Sequence, residues 1–126
     1  MKDAGGGKGV PVVLADRFQM SSSSLQRLKE LGGYIWADAD SEDELAKKVA
    51  ENAGTRIIVS EYVPVGEKVM RAAPSLKGVI AYGAGYNHID VEVARRMGIV
   101  VCNCPGAHST AVAEYTFFLI LSLLRG

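Results

Sequence analysis

Five short apolar runs, rich in Val and Ile, alternate along this chain with five segments patterned as helices. The runs cover residues 10–15, 34–37, 57–60, 79–82 and 99–102. Strands that are apolar without alternation are covered on both faces, and such strands belong to parallel sheets with helices above and below. Strand–helix–strand units of this kind cross over right-handed. The pattern predicts an α/β fold. It is a flavodoxin-like, doubly wound, five-stranded parallel sheet in three layers, followed by an apolar C-terminal crossover helix. The 126 residues suffice for one such domain, and 48% hydrophobic residues supply its core.

Helix punctuation is local. The serines at 21–24 are good N-caps for a helix carrying Leu25, Leu28 and Leu31, and Gly32-Gly33 stops it. Ser41-Glu42-Asp43-Glu44 has the capping-box spacing, with acids on the positive helix end. A short helix is expected over 66–73, stopped by Pro74, and another over 91–97, with Asp90 as N-cap and Gly98 as stop. The last helix is expected over about 109–125. Residues 1–9 read as a flexible, Gly-rich leader without an apolar signal core, and residues 10–126 as the domain.

Composition excludes several functions. Lys+Arg and Asp+Glu number 14 each, so no net charge draws the chain to nucleic acid or to an anionic membrane. The longest apolar run, residues 117–121, is far shorter than the ~20 residues of a membrane span. Cys102 and Cys104 are too few for a disulfide framework or a structural metal site. On one strand they would share a face, and they are expected as two small buried hydrophobes. A cytoplasmic location is the expectation, with no metal.

Open parallel sheets bind ligands outside the carboxyl ends of their strands. That rule selects the loops starting at Asp16-Arg17-Phe18, Ser60-Glu61-Tyr62, Gly83-Ala84-Gly85 and Asn103-Cys104-Pro105-Gly106. Two glycines around Ala84 let backbone approach a ligand closely and adopt positive φ. Successive N–H groups in such a turn form an anion nest, for which a carboxylate is a natural guest. Gly83-Ala84-Gly85-Tyr86-Asn87-His88 lacks the third glycine of a dinucleotide fingerprint, and no P-loop Lys follows. A phosphoacceptor receiver shares this fold but needs an acid cluster after strand one and an Asp after strand three. Here Asp16 stands alone and Ser60 holds the acceptor position. Ser60 has no base beside it in sequence, and His88 reads as a surface or capping residue. No catalytic residue is assigned.

The C-terminal half resembles one family. Leu76-Lys77-Gly78-Val79-Ile80, the 83–90 segment Gly-Ala-Gly-Tyr-Asn-His-Ile-Asp, the 98–106 segment Gly-Ile-Val-Val-Cys-Asn-Cys-Pro-Gly and Val112-Ala113-Glu114 occur in order. They are similar to the D-isomer-specific 2-hydroxyacid dehydrogenases, which include phosphoglycerate dehydrogenase and glyoxylate/hydroxypyruvate reductase. The resemblance covers about residues 10–126. It implies the N-terminal substrate-binding domain of an oxidoreductase, with backbone amides of residues 83–85 holding the substrate carboxylate. It also implies Ser60, Glu61, Tyr82 and His108 around a small 2-hydroxy or 2-oxo acid. NAD or NADP would be bound mainly by a Rossmann domain absent here, together with the family's catalytic Arg, Glu and His. This chain is expected to bind no cofactor tightly. Where phosphoglycerate dehydrogenases carry a basic residue and Ser after strand three, this sequence has Ser60 and Glu61, and the carboxylate disfavours a phosphorylated substrate. Arg17 could supply positive charge from another side. His108 replaces a common Asn, and Tyr115 a common His.

Between 111 and 124 only Glu114, Thr116 and Ser122 are polar. A helix apolar nearly all round is buried on more than one side. One side is expected on the domain's own sheet. The other, among Phe117, Phe118, Ile120, Leu121 and Leu124, is expected to drive homo-oligomerisation. The alternative to the dehydrogenase reading is a stand-alone small-acid binding or assembly module without catalysis.

Overall fold

A computed structural model of the protein describes residues 11–126. Val10 and the 1–9 leader lie outside the described residues. The elements alternate without exception: β1 (Val12–Leu14), α1 (Ser22–Glu30), β2 (Tyr34–Trp36), α2 (Glu42–Glu51) and β3 (Ile57–Ser60), then α3 (Glu67–Ala72), β4 (Gly78–Ala81), α4 (Val91–Arg96), β5 (Val100–Cys102) and α5 (Ser109–Arg125). All strand pairs are parallel, in the order β2-β1-β3-β4-β5. This is the flavodoxin-like doubly wound arrangement expected from the apolar runs.

The strands form where both faces are buried. Val13, Ile58 and Val79 point to one face and meet Leu45, Val49, Val69 and Met70 from α2 and α3 and Val93 from α4. Val12, Leu14 and Val59 point to the other, where Leu25 and Leu28 of α1 and the ring of Phe18 lie. Phe18 stacks on Tyr82 with centroids 4.2 Å apart and meets Trp36 edge-on at 5.3 Å. Burying each aliphatic side chain contributes roughly 1.5–3 kcal/mol, so the α2–α4 face, with its larger set, dominates the core.

The caps act as their residue types require. Ser21 Oγ accepts from the Ser24 N–H at 3.1 Å, and Asp90 Oδ1 accepts from the Val93 N–H at 2.9 Å. Ser41 Oγ accepts from the Glu44 N–H, but Glu44 reaches back to the N–H of Asp40 rather than of Ser41. The reciprocal box is therefore displaced by one residue. Gly32 ends α1 with φ 113°, and a Cβ there would lie 3.2 Å from Pro11 Cγ. Gly32→Ala is expected to cost roughly 1–2 kcal/mol. Urea unfolding with an unchanged slope and a lowered midpoint measures it.

Two expectations are corrected. Cys102 and Cys104 are both exposed, not buried. β5 is an edge strand, and on the face of Val100 and Cys102 no helix covers it; Val100 is 62% exposed. α5 does not lie on the domain's own sheet either. Each of its residues is exposed, and it leaves the body after Gly106, which has φ 75°. Among the described residues no helix is long and apolar enough to cross a membrane.

Candidate functional site

The carboxyl ends of β1, β3, β4 and β5 lie along one edge because all strands are parallel. The β4 loop is tied to the β5 loop through its carbonyls. The Cys104 N–H donates to Gly83 O at 2.8 Å, and Asn103 Nδ2 donates to Ala84 O at 2.7 Å. The N–H groups of Gly83, Ala84 and Gly85 donate to no protein acceptor among the described residues. Three consecutive backbone donors thus remain available at the sheet edge. Neither glycine has positive φ, contrary to the sequence expectation. Their role is spatial: a Cβ at Gly83 or Gly85 would meet nothing within 4 Å, so the missing side chains leave open space beside the amides.

The residues expected beside this loop have different fates. Ser60 is fully buried and its Oγ donates to Val63 O at 2.7 Å, so the hydroxyl is not offered to a ligand. Its carbonyl accepts from the Tyr82 N–H at 2.7 Å and lies 3.2 Å from His88 Nε2. The turn after β3 folds the Ser60 hydroxyl inward, toward Val63. Tyr82 is half-buried, with its hydroxyl donating to Gln19 O at 2.7 Å. Glu61 is half-buried beside Tyr62; its charge and hydrogen bond raise the Tyr62 phenol above the usual tyrosine range. His108 is exposed at the N-cap position of α5, with no capping bond from its side chain. Glu114 is exposed on the same helix.

Asp16 is the site residue that sequence reading left without a role. It is buried, and its carboxylate accepts from the N–H groups of Glu61 at 2.9 Å and Val63 at 2.8 Å, and from that of Tyr62. One side chain from the end of β1 thus holds the whole β3 loop. Its partners lie more than forty residues away, and the signal in the sequence is only an acid directly after an apolar strand. Arg17, next to it, pairs with Asp38, a non-glycine residue with φ 53°. The hydrogen bond to Asp38 raises the guanidinium pKa further. The guanidinium that could meet a phosphate is thus paired with a carboxylate at the protein surface. A cleft of about 500 Å³ opens here, lined by Asp16, Arg17, Asp38, Asp40, Tyr62 and Pro64. Among the described residues no group of three His, Cys, Asp or Glu could hold a metal ion.

The structure also tests whether a dinucleotide fits. A pyrophosphate site needs glycines opening directly into a helix N-terminus. Here residues 83–90 intervene before α4, Ile89 bridges to Val65, and α4 is 6 residues long. The loop does not fit a dinucleotide.

A five-stranded, all-parallel sheet in the order β2-β1-β3-β4-β5 defines a flavodoxin-like α/β domain. The chain belongs to the D-isomer specific 2-hydroxyacid dehydrogenase family, whose catalytic-domain profile matches residues 12–119. It is 35% identical over 85 residues to a glyoxylate reductase of Thermofilum pendens, covering 68% of this chain and 24% of that protein. It is 32% identical over 117 residues to the D-3-phosphoglycerate dehydrogenase of Mycobacterium bovis, covering 92% of this chain and 21% of that protein. The solved D-lactate dehydrogenase of Aquifex aeolicus, complexed with NAD and lactic acid, superposes with a TM-score of 0.72 at 25% identity, covering 89% of this chain and 33% of that one. The chain thus spans a quarter or less of the length of these two curated relatives.

Proposed function

We propose that this chain is the substrate-binding domain of an NAD(P)-dependent D-2-hydroxyacid dehydrogenase, an oxidoreductase that interconverts small 2-hydroxy and 2-oxo acids. The observation that carries the reading is the run of three unpaired amides at Gly83, Ala84 and Gly85. A substrate carboxylate there gains charge-assisted hydrogen bonds that are roughly twice as strong as neutral ones. The carbonyls of Gly83 and Ala84 are held by Cys104 and Asn103, so the N–H groups of Ala84 and Gly85, which share those peptide planes, are oriented before the ligand arrives. Glu61, Tyr82 and His108 form the surroundings, with Ser60 acting through its backbone.

Glu61, and an Arg17 already paired with Asp38, favour an unphosphorylated acid such as glyoxylate or hydroxypyruvate. A phosphate dianion close to a carboxylate is repelled by about 4 kcal/mol or more at 4 Å and an effective dielectric of ~20. The nicotinamide cofactor supplies hydride when bound, and this reading assigns its seat, with the catalytic acid–base groups, to a domain outside this chain. The same reading places the protein in the cytoplasm, as a homo-oligomer through α5.

A nitrogen–proton correlation spectrum titrated with glyoxylate tests the reading. The amides of residues 83–85 are expected to shift most, and to shift far less with chloride at equal ionic strength. Uniform or absent shifts at millimolar glyoxylate count against it. The purified 126-residue chain, given NADH or NADPH with glyoxylate, hydroxypyruvate or pyruvate, is expected to show no turnover. Protein-dependent NADH oxidation at 340 nm would remove the separate-cofactor-domain part of the proposal.

A further inference from the structure

The loop that carries the amides of residues 83–85 leaves β4 at Tyr82 and returns at His88, and both of its ends meet one atom. The Ser60 carbonyl oxygen accepts from the Tyr82 N–H at 2.7 Å and lies 3.2 Å from His88 Nε2. A carbonyl oxygen has two lone pairs and only accepts. Both contacts can therefore be made at once, and the imidazole donates, with its proton on Nε2. Ser60 is fully buried and His88 half-buried, so little water competes for the bond. The acceptor is itself held in place. The N–H of the same Ser60–Glu61 peptide donates to Asp16 Oδ1 at 2.9 Å, so this planar unit is gripped on both edges.

The backbone of His88 does not depend on its ring. Its carbonyl accepts from the Val65 N–H at 2.8 Å, and the Asp90 N–H donates to Val65 O at 3.0 Å. The next residue, Ile89, is buried and bridges to Val65. The start of α4 is thus secured by main-chain bonds. What the imidazole adds is closure of the stretch between, in which residues 84–87 are all exposed.

We propose that His88 is a positioning residue for the carboxylate seat. Its Nε2–H, set on the Ser60 carbonyl, fastens the far end of the amide loop to the atom that anchors the near end. The inference rests on the reading of residues 83–85 as the seat and adds the side chain that holds the loop's shape. Tyr82 fixes the start of the loop, Cys104 and Asn103 hold the carbonyls of Gly83 and Ala84, and His88 fixes the return. A loop held at all three points presents its donors in one arrangement, and a pre-formed site binds more tightly than one its ligand must order. The Nε2 proton is engaged by a backbone carbonyl, so it is not offered to the acid.

Two substitutions that differ in reach test this in the full chain. The amide nitrogen of Gln lies about where Nε2 does, whereas that of Asn is one bond shorter and falls short of Ser60. His88→Asn is expected to bind glyoxylate about fivefold or more weakly in the amide-shift titration, and His88→Gln to stay within about twofold of the parent. Both are expected to unfold within a few degrees of the parent, because the main-chain bonds to Val65 remain. In the parent, a long-range nitrogen–proton spectrum of the neutral imidazole is expected to place the proton on Nε2. That spectrum tests the bond even if a variant does not fold. A proton on Nδ1, a His88→Asn chain with parental affinity, or a His88→Gln chain as weak as His88→Asn would each overturn the role of His88 and leave the seat standing. A parent whose residues 83–85 do not respond to glyoxylate would overturn the seat and this role together.

Discussion

A Gly85→Val chain is expected to unfold at nearly the parent's temperature yet bind glyoxylate at least tenfold more weakly. The two halves of that expectation have separate physical sources. Gly85 is exposed, its φ is not in the left-handed region, and a Cβ there would touch nothing within 4 Å. The folded state therefore accepts a side chain with no clash and no backbone strain, and the stability change stays within about 0.5 kcal/mol, as for ordinary surface substitutions. Binding is different, because the open space beside the amides is the space a carboxylate must enter. A branched side chain there screens at least one donor, and losing one hydrogen bond to a charged group costs about 1.5–3 kcal/mol. A loss of that size is tenfold or more in affinity, at about 1.4 kcal/mol per decade. Calorimetric unfolding and the amide-shift titration, run on parent and variant, separate the two effects. Unchanged affinity with unchanged stability would remove the 83–85 loop from the site.

Asp16→Ala is expected to lower stability by about 2–5 kcal/mol, a large share of the ~5–15 kcal/mol typical of a folded domain. The substitution deletes the acceptor of three backbone N–H groups, those of Glu61, Tyr62 and Val63. Val63 is buried and has no water to turn to, whereas Tyr62 is 75% exposed and recovers solvent, which keeps the loss below three full bonds. Asp16→Asn provides the graded control. Its single carbonyl oxygen still accepts, but its NH₂ group now faces N–H donors, so it should fall between the parent and the alanine variant. Equilibrium urea unfolding reads both. A change below about 1 kcal/mol for alanine would show that the β3 loop is held by its own turn bonds.

Much of the fold is legible in the sequence because its determinants are local. Ser21, Ser41 and Asp90 cap their helices in the geometry their side chains favour, and Gly32 and Gly98 end theirs at positive φ. The strand runs at residues 57–60 and 79–82 are read within one residue, since burial on both faces removes the need for alternation. The glycine loop is legible for a similar reason, although its glycines supply room and not a special φ. What stays hidden depends on which groups meet across the fold. The C-x-C looked like core because a parallel sheet is usually covered on both faces, and nothing local to Val100 or Cys102 says that their side of β5 has no helix above it. Ser60 looked like a ligand contact because it ends a strand; the inward turn toward Val63 depends on Asp16, far away in the chain. Asp16 itself carried no signal beyond its position, since its three partners are amides that any sequence would offer.

The break between β5 and α5 has a mechanical meaning. A helix of 17 residues is about 25 Å long at 1.5 Å per residue. It joins the sheet through Asn103-Cys104-Pro105-Gly106, in which Cys104 and Asn103 also clamp the carbonyls of Gly83 and Ala84. Gly106, at φ 75°, is the one glycine in that connection, and a Cβ there would sit 3.7 Å from Ser109 Oγ, an ordinary distance. A rotation of ~10° at this point carries the far end of α5 through about 4 Å, by the length just given. The helix is thus a pointer whose pivot lies next to the Gly83–Gly85 loop. Under the proposed function, an acid held by the amides of residues 83–85 would sit against the same short segment that sets the direction of α5.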